Sequence, residues 1–194
     1  MAGRPKIFDE QEVLDKAIDL FWKKGYTATS TEDLLQAMDL NKGSLYNTFG
    51  SKKELFSRAI QHFHTRGSQA MHDLLKPADN PVTAIRQFFL DIASTDLETH
   101  FKGCFVGNTL AELSNQDEEL KEQATAYLKA FEEIFHHYLK IAKERGYLHT
   151  HHEPKVLAKY LLTVWNGINI TRRIYPDKKI LKQVMSVQLE VLGE

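Results

Sequence analysis

The chain has 194 residues, of which 42% are hydrophobic and 26% charged, and its formal net charge is −1. This is the composition of an ordinary soluble globular protein, able to bury a core without disulfides or metal; near-neutrality neither requires nor excludes a nucleic-acid partner, and no apolar run approaches the ~20 residues of a membrane span. The single cysteine, Cys104, excludes an intramolecular disulfide and, with no secretory signal, fits a reducing cytoplasm.

In chain order, nearly everything reads as helix. Between Asp9 and Lys24, Val13, Leu14, Ala17, Ile18, Phe21 and Trp22 recur on one face, and Gly25 stops the helix. Thr29 and Glu32 have the spacing of a capping box and open a short helix carrying Leu34, Leu35 and Met38. Asp39-Leu40-Asn41 is a tight turn, with Asn41 placed to cap a third helix that Gly50 ends. Ser51 and Glu54 repeat the capping pattern, and a longer helix runs from about Lys52 to about Leu75 with Leu55, Phe56, Ala59, Ile60 and Phe63 on one face. After the break at Pro77–Pro81, helices are expected over about Val82–Ser94, Val106–Leu113, Glu118–Arg145, Pro154–Ile174 and Lys178–Leu192. No strand pattern is visible, so the fold class is all-α.

The third helix is short and polar. At ~100° per residue, Leu45 and Phe49 define its inward face, Gly43 and Asn47 point outward, Ser44, Tyr46 and Thr48 flank them, and Lys42 sits at the start. A core helix would be richer in Leu and Ile, and a solvated one richer in charge; a small polar face suits a groove. Gly43 allows close backbone approach, and the Asn47 amide matches adenine. Tyr46 and Ser44 can bond phosphates that Lys42 and Lys52 neutralise. Two short helices joined by a tight turn make a helix-turn-helix with the second as recognition helix.

From about Val13 to Phe56 the chain resembles the DNA-binding domain of the TetR family of transcriptional regulators. The residues that carry the resemblance are Phe21-x3-Gly25-Tyr26-x2-Thr29-Ser30-Thr31, then Leu34, then Lys42-Gly43-Ser44-Leu45-Tyr46-x2-Phe49-x-Ser51-Lys52-x2-Leu55. Asp39 stands where the family's turn commonly has Gly, and Leu34-Leu35 where it has Ile-Ala; Asp tolerates a left-handed backbone, so the turn survives. The resemblance implies a DNA-binding head, residues 1–56, and a helical ligand-binding and dimerisation domain, residues 57–194, joined by the long helix. Thr29, Ser30 and Thr31 join Lys42, Gly43, Ser44, Tyr46, Asn47, Thr48 and Lys52 as expected DNA-contacting residues. The first 56 residues hold eight Lys/Arg and nine Asp/Glu, so affinity must come from placement: Lys42, Lys52 and Lys53 by the recognition helix, and Arg4 and Lys6 on an N-terminal arm.

Beyond residue 60 the chain is dense in rings. With Asn108 and Asn169 nearby, Phe63, Phe89, Phe105, Tyr127, Phe131 and Trp165 are the expected lining of an apolar ligand pocket. Cys104, in "KGCFVGN" at an expected helix start near Lys102, reads either as a small half-buried residue or as a sensor of electrophiles or oxidants. The histidines of His149–His152 read as a solvated loop, with no metal spacing. Leu157, Leu161, Val164 and Ile168 on one of the last two helices, and Val184, Val187 and Val191 on the other, are the expected dimer interface. The reading is a homodimeric repressor of a palindromic double-stranded DNA operator, released by a small apolar or aromatic effector, with no cofactor or metal. Covalent sensing through Cys104 is the alternative. A small-molecule enzyme is more remote, since no paired carboxylates or nucleophile motif is visible.

Overall fold

The computed structural model describes residues 8–193, whose regular elements are all helices, with no strand among them. The expected arm residues Arg4 and Lys6 lie outside the described residues. The elements are α1 (Glu10–Lys24), α2 (Thr31–Met38), α3 (Lys42–Phe49), α4 (Lys52–Leu75), α5 (Pro81–Ile92), α6 (Leu97–Lys102), α7 (Phe105–Leu113), α8 (Glu118–Glu144), α9 (Pro154–Ile174) and α10 (Lys178–Leu189), closed by a 3₁₀ turn (Glu190–Leu192). The six-residue α6 is absent from the sequence reading because it is too short to show a period. No described helix is long and apolar enough to cross a membrane.

Burial follows the periodicity. Val13, Leu14, Ala17, Ile18 and Phe21 of α1 close over Leu55, Phe56, Ala59 and Ile60 of α4, with the Phe21 and Phe56 rings edge to face at 4.8 Å. Leu34 and Met38 of α2 and Leu45 and Phe49 of α3 complete this first core. It continues into the body through Cys104, Phe105 and Val106, then Leu120, Ala124 and Leu128 of α8. A second core gathers Phe89, Phe135, Leu139, Leu157, Leu161, Ile168, Leu181 and Met185. The long α4 spans both, giving Leu55–Ile60 to the first and Met71 and Leu75 to the second.

The head is tied to the body by polar contacts as well. Glu112 of α7 accepts hydrogen bonds from the backbone N–H of Tyr26 (3.0 Å) and Thr27 (2.7 Å), just past the end of α1. Gly25 there has φ +83°, and a Cβ on it would lie 2.9 Å from that carboxylate, so both backbone and space call for glycine. Lys53 reaches across to Asp117 and Glu119 at the start of α8, each at 2.9 Å.

Glu112→Ala leaves two N–H groups at the end of α1 without their carboxylate. The expected loss is about 1 kcal/mol, water replacing part of the interaction, measured by urea denaturation against Gln116→Ala, whose longer 3.4 Å bond to the Thr27 hydroxyl is exposed. Equal stability of the two variants would remove the tie.

Candidate nucleic-acid interface and ligand cavity

Local hydrogen bonds set the helix-turn-helix. The start of α2 corrects the sequence reading. Ser30 is the N-cap, accepting from the Asp33 N–H (3.0 Å), while Asp33 accepts from the Ser30 N–H (3.0 Å). Thr29 is buried, its hydroxyl donating to the Gly25 carbonyl at 2.6 Å, so its side chain serves the fold rather than an exposed surface. One residue of register decides which hydroxyl faces the helix end. Lys24 pairs with Asp33 at 2.8 Å, and the Lys24 ammonium together with the Ser30 bonds holds that carboxyl's pKa down to about 2.

Asp39 adopts the left-handed conformation the turn requires, φ 54°. Asn41 caps α3 by accepting from the Ser44 N–H at 2.8 Å. With Leu45 and Phe49 buried, Lys42, Gly43, Tyr46 and Asn47 are exposed, and Thr31, Ser44 and Thr48 half-buried. A Cβ at Gly43 would come within 3.3 Å of the Asn41 cap oxygen, so this glycine also has a local reason.

Sequence reasoning missed Arg58. It donates to the Thr48 carbonyl (3.0 Å), lies 4.9 Å from the Phe49 ring centre and pairs with Glu10 of α1, holding the last turn of α3. Lys52 stands 4.5 Å over the Tyr26 ring. Lys53, expected beside the recognition helix, is instead occupied by Glu119 and Asp117, which push its pKa up.

Where head and body meet, the Lys102 carbonyl accepts from three donors: Trp22 Nε1 (2.9 Å), Asn108 Nδ2 (2.9 Å) and Arg173 Nη2 (2.7 Å). The Lys102 amine bonds Asp19 of α1 at 2.8 Å, which raises the lysine pKa and lowers the aspartate's. Gly103 follows with φ +69°, where a Cβ would lie 2.3 Å from the Arg173 guanidinium.

Cys104 is next, and caps α7 as its position suggested. Its Sγ accepts from the Gly107 N–H and from Trp165 Nε1, both at 3.3 Å. Burial pushes the thiol pKa up, against these bonds and the charge of Arg172. Arg172 is itself buried, with no partner for its Nε among the described residues.

Cys104 forms part of the wall of a cavity of about 490 Å³ between α4, α7, α8 and α9. Phe63, Tyr127, Phe131 and Trp165 line it as expected, joined by His64, Gly67, Ser68, Ala70, Met71 and Leu74 of α4 and by Phe88, Val106 and Leu128. Four expected residues do not line this cavity, though Phe105 and Asn108 line a second one of about 310 Å³ between the end of α1 and α7. Phe89 is fully buried, stacked on Phe135 at 5.7 Å, and Phe105 belongs to the first core. Asn108 is engaged by Lys102 and Arg173, and Asn169 is buried, donating to the Trp165 carbonyl at 2.7 Å. Periodicity gives the inward face of a helix but not the depth of each residue on it. The α4 residues were missed because that half of the helix reads as a connector.

The expected interface residues Leu157, Leu161, Val164 and Ile168 are likewise corrected. They are 0–4% exposed within this one chain, packed in its second core, and present no face to a partner. Elsewhere on α9 Val156, Ile170 and Ile174 are exposed, as are Ile180, Val184 and Val187 of α10, with Val187 65% exposed and Val191 half-buried.

Comparison with known proteins fits this geometry. The model of bacterial regulatory proteins of the tetR family matches residues 13–59, and that of the tetracyclin repressor-like C-terminal domain matches residues 81–187. An uncharacterised HTH-type transcriptional regulator of Bacillus subtilis, YezE, is 32% identical over 98% of this chain and 99% of its own. The Escherichia coli HTH-type transcriptional repressor ComR is 30% identical over 99% and 92%. Among solved structures, a cysteine mutant of the TetR family regulator CifR complexed with 26-bp operator DNA superposes with a TM-score of 0.83 at 26% identity, covering 97% and 98% of the two chains.

The Asp33 carboxyl should titrate near 2, against an ordinary value of ~3.9. Its folded pKa is depressed, so the contribution to α2 is fully present above ~3.9 and is lost as pH falls through about 2. NMR titration of the side chain in the folded protein checks this; a midpoint near 4 would break the capping box and the Lys24 pair.

Proposed function

The chain belongs to the tetR family of bacterial regulatory proteins, and on that premise we propose that it is a cytoplasmic homodimeric repressor of a palindromic operator, released by a small apolar or aromatic effector. The observation that carries this reading is an exposed face of α3 with no part in the core, set in a helix-turn-helix and joined by α4 to a body that holds an apolar cavity. In this reading residues 1–56 act as the head and 57–194 as the body. Lys42 and Lys52 meet phosphates, Tyr46 and Ser44 bond them, and Asn47 reads a base edge past Gly43. The dimer forms through the open face of α9 and through α10, with Val184 and Val187 near its centre. Twofold symmetry sets half-sites ~34–36 Å apart. A ligand against α4 presses on the helix that carries the head, and releases DNA if it binds better to the released spacing.

A second reading has Cys104 sense an electrophile covalently, because its sulfur lies in the cavity wall and receives two N–H donors. The thiol sulfur would bond the β-carbon of an activated alkene while the thiol proton passes to the α-carbon, with no co-reactant. Structures of CifR cysteine mutants and of reduced Escherichia coli NemR favour testing it. The raised thiol pKa favours the reversible effector.

Three measurements follow. Lys42→Ala should weaken binding to all DNA and flatten the salt slope by about one unit, whereas Asn47→Ala should relax preference at one base position; wild-type operator affinity in both would refute the placement of α3. Val187→Glu, which sets a charge in an apolar contact, should give monomers by sedimentation and lose the operator complex; a folded monomer with full affinity would refute the interface. Cys104→Ser should still release DNA when a reversible effector is added. A variant that binds DNA normally and ignores the inducer would establish the covalent reading instead.

A further inference from the structure

The chemistry of the cavity wall narrows the ligand. None of its fourteen lining residues is Lys, Arg, Asp or Glu. A ligand carrying net charge would lose its hydration there with no counter-charge, which is strongly unfavourable. Flat faces dominate the wall. Phe88 and Trp165 lie nearly parallel, 13° apart at 5.7 Å, and His64 and Tyr127 at 11° and 4.2 Å. Parallel rings favour an offset-stacked planar guest.

The polar groups of the wall are mostly occupied. The Trp165 indole N–H is given to Cys104, and the Tyr127 hydroxyl accepts from Gln123 Nε2 at 3.0 Å and keeps only its own proton to donate. His64 and Ser68, one turn apart on α4, touch only at 3.4 Å, too long for a strong bond. Burial lowers the His64 pKa, so the imidazole is neutral and keeps both donor and acceptor capacity. On the same helix Gly67, Ala70 and Leu74 line the cavity and are also exposed, and a Cβ at Gly67 would meet nothing within 4 Å.

We propose that the cavity takes a neutral, planar aromatic molecule with one hydrogen-bonding group, admitted past Gly67 and oriented by His64 and Ser68. This rests on the cavity being the effector site. His64 and Ser68 determine specificity: they choose between a phenol-like or carbonyl-bearing ring system and a bare hydrocarbon. Gly67 keeps the entrance open, which explains a glycine in mid-helix where alanine would favour the helix.

Three probes of one shape test it on the full-length protein by calorimetry: 2-naphthol, naphthalene and 2-naphthoate. The expected order is 2-naphthol above naphthalene by about fivefold, with 2-naphthoate weakest. His64→Phe, which preserves stacking on Tyr127, should bring 2-naphthol down to the level of naphthalene and leave naphthalene unchanged, a change of selectivity that a merely structural role would not produce. Gly67→Leu should slow or weaken binding of all three while leaving the fold intact, since the added side chain meets open space. Equal or tighter binding of 2-naphthoate, no measurable binding of 2-naphthol, or a 2-naphthol preference that survives both His64→Phe and Ser68→Ala would overturn the proposal. Unchanged affinity and association rate in Gly67→Leu would overturn the entrance. A gel shift on operator DNA separates the two levels: probes bound in the expected order without releasing DNA would leave the chemistry of the cavity standing and remove the effector reading.

Discussion

The Lys102 carbonyl is the acceptor on which three parts of the chain converge. Trp22 comes from the head, Asn108 from α7 and Arg173 from near the end of α9. A carbonyl oxygen has two lone pairs, so its three donors outnumber them and share, fixing the surrounding backbone from three directions. Gly103 makes this possible, because only a residue without Cβ leaves room for the Arg173 guanidinium against the chain there. The Lys102 side chain adds a fourth tie, to Asp19. With Glu112 on the end of α1 and Lys53 on the start of α8, the head is seated by polar contacts at its rim and by the Phe21, Phe56 and Phe105 rings at its centre.

The apolar cavity lies close to this junction. Cys104 is two residues from the Lys102 carbonyl and lies in the cavity wall, bonded to the indole of Trp165, which packs against both cores. On the other side the wall is α4, whose first turns belong to the head core. The cavity is therefore bounded by two elements that also position the head, one through apolar packing and one through hydrogen bonds. Close-packed interiors pass such displacements on rather than absorb them.

The sequence showed the number and order of the long helices because their apolar faces are wide and regular, and it showed α3 because its pattern is wrong for a core helix. Caps were legible where one candidate stood alone, as at Asn41 and Ser51, and misplaced by one residue where three hydroxyl residues, Thr29 to Thr31, compete. What periodicity hides is depth and partner. Phe89 and Phe131 look alike in sequence, yet one is sealed in the second core and the other lines the cavity. Leu157, Leu161, Val164 and Ile168 form an apolar face of the kind an interface needs, but the chain covers that face itself, and the exposed apolar residues of α9, Val156, Ile170 and Ile174, lie off it. The Lys102 junction was invisible, since a backbone carbonyl and residues 80 and 71 positions away from it leave no local pattern.

The isolation of α3 has a further consequence. Eight residues are too few for a helix to persist alone, so its conformation is imposed by its surroundings. Two buried anchors, the Asn41 cap, the stop at Gly50 and the Arg58 bond to Thr48 do this from the inner side and the two ends. None of these supports uses the side chains of Lys42, Tyr46 or Asn47, which face outward with no part in the core. The first 56 residues carry no net positive charge, so a general attraction to phosphate cannot place this surface. What remains is geometry: a small, rigidly held polar face, tied through Arg58 to the second turn of α4, the helix whose far half walls the cavity.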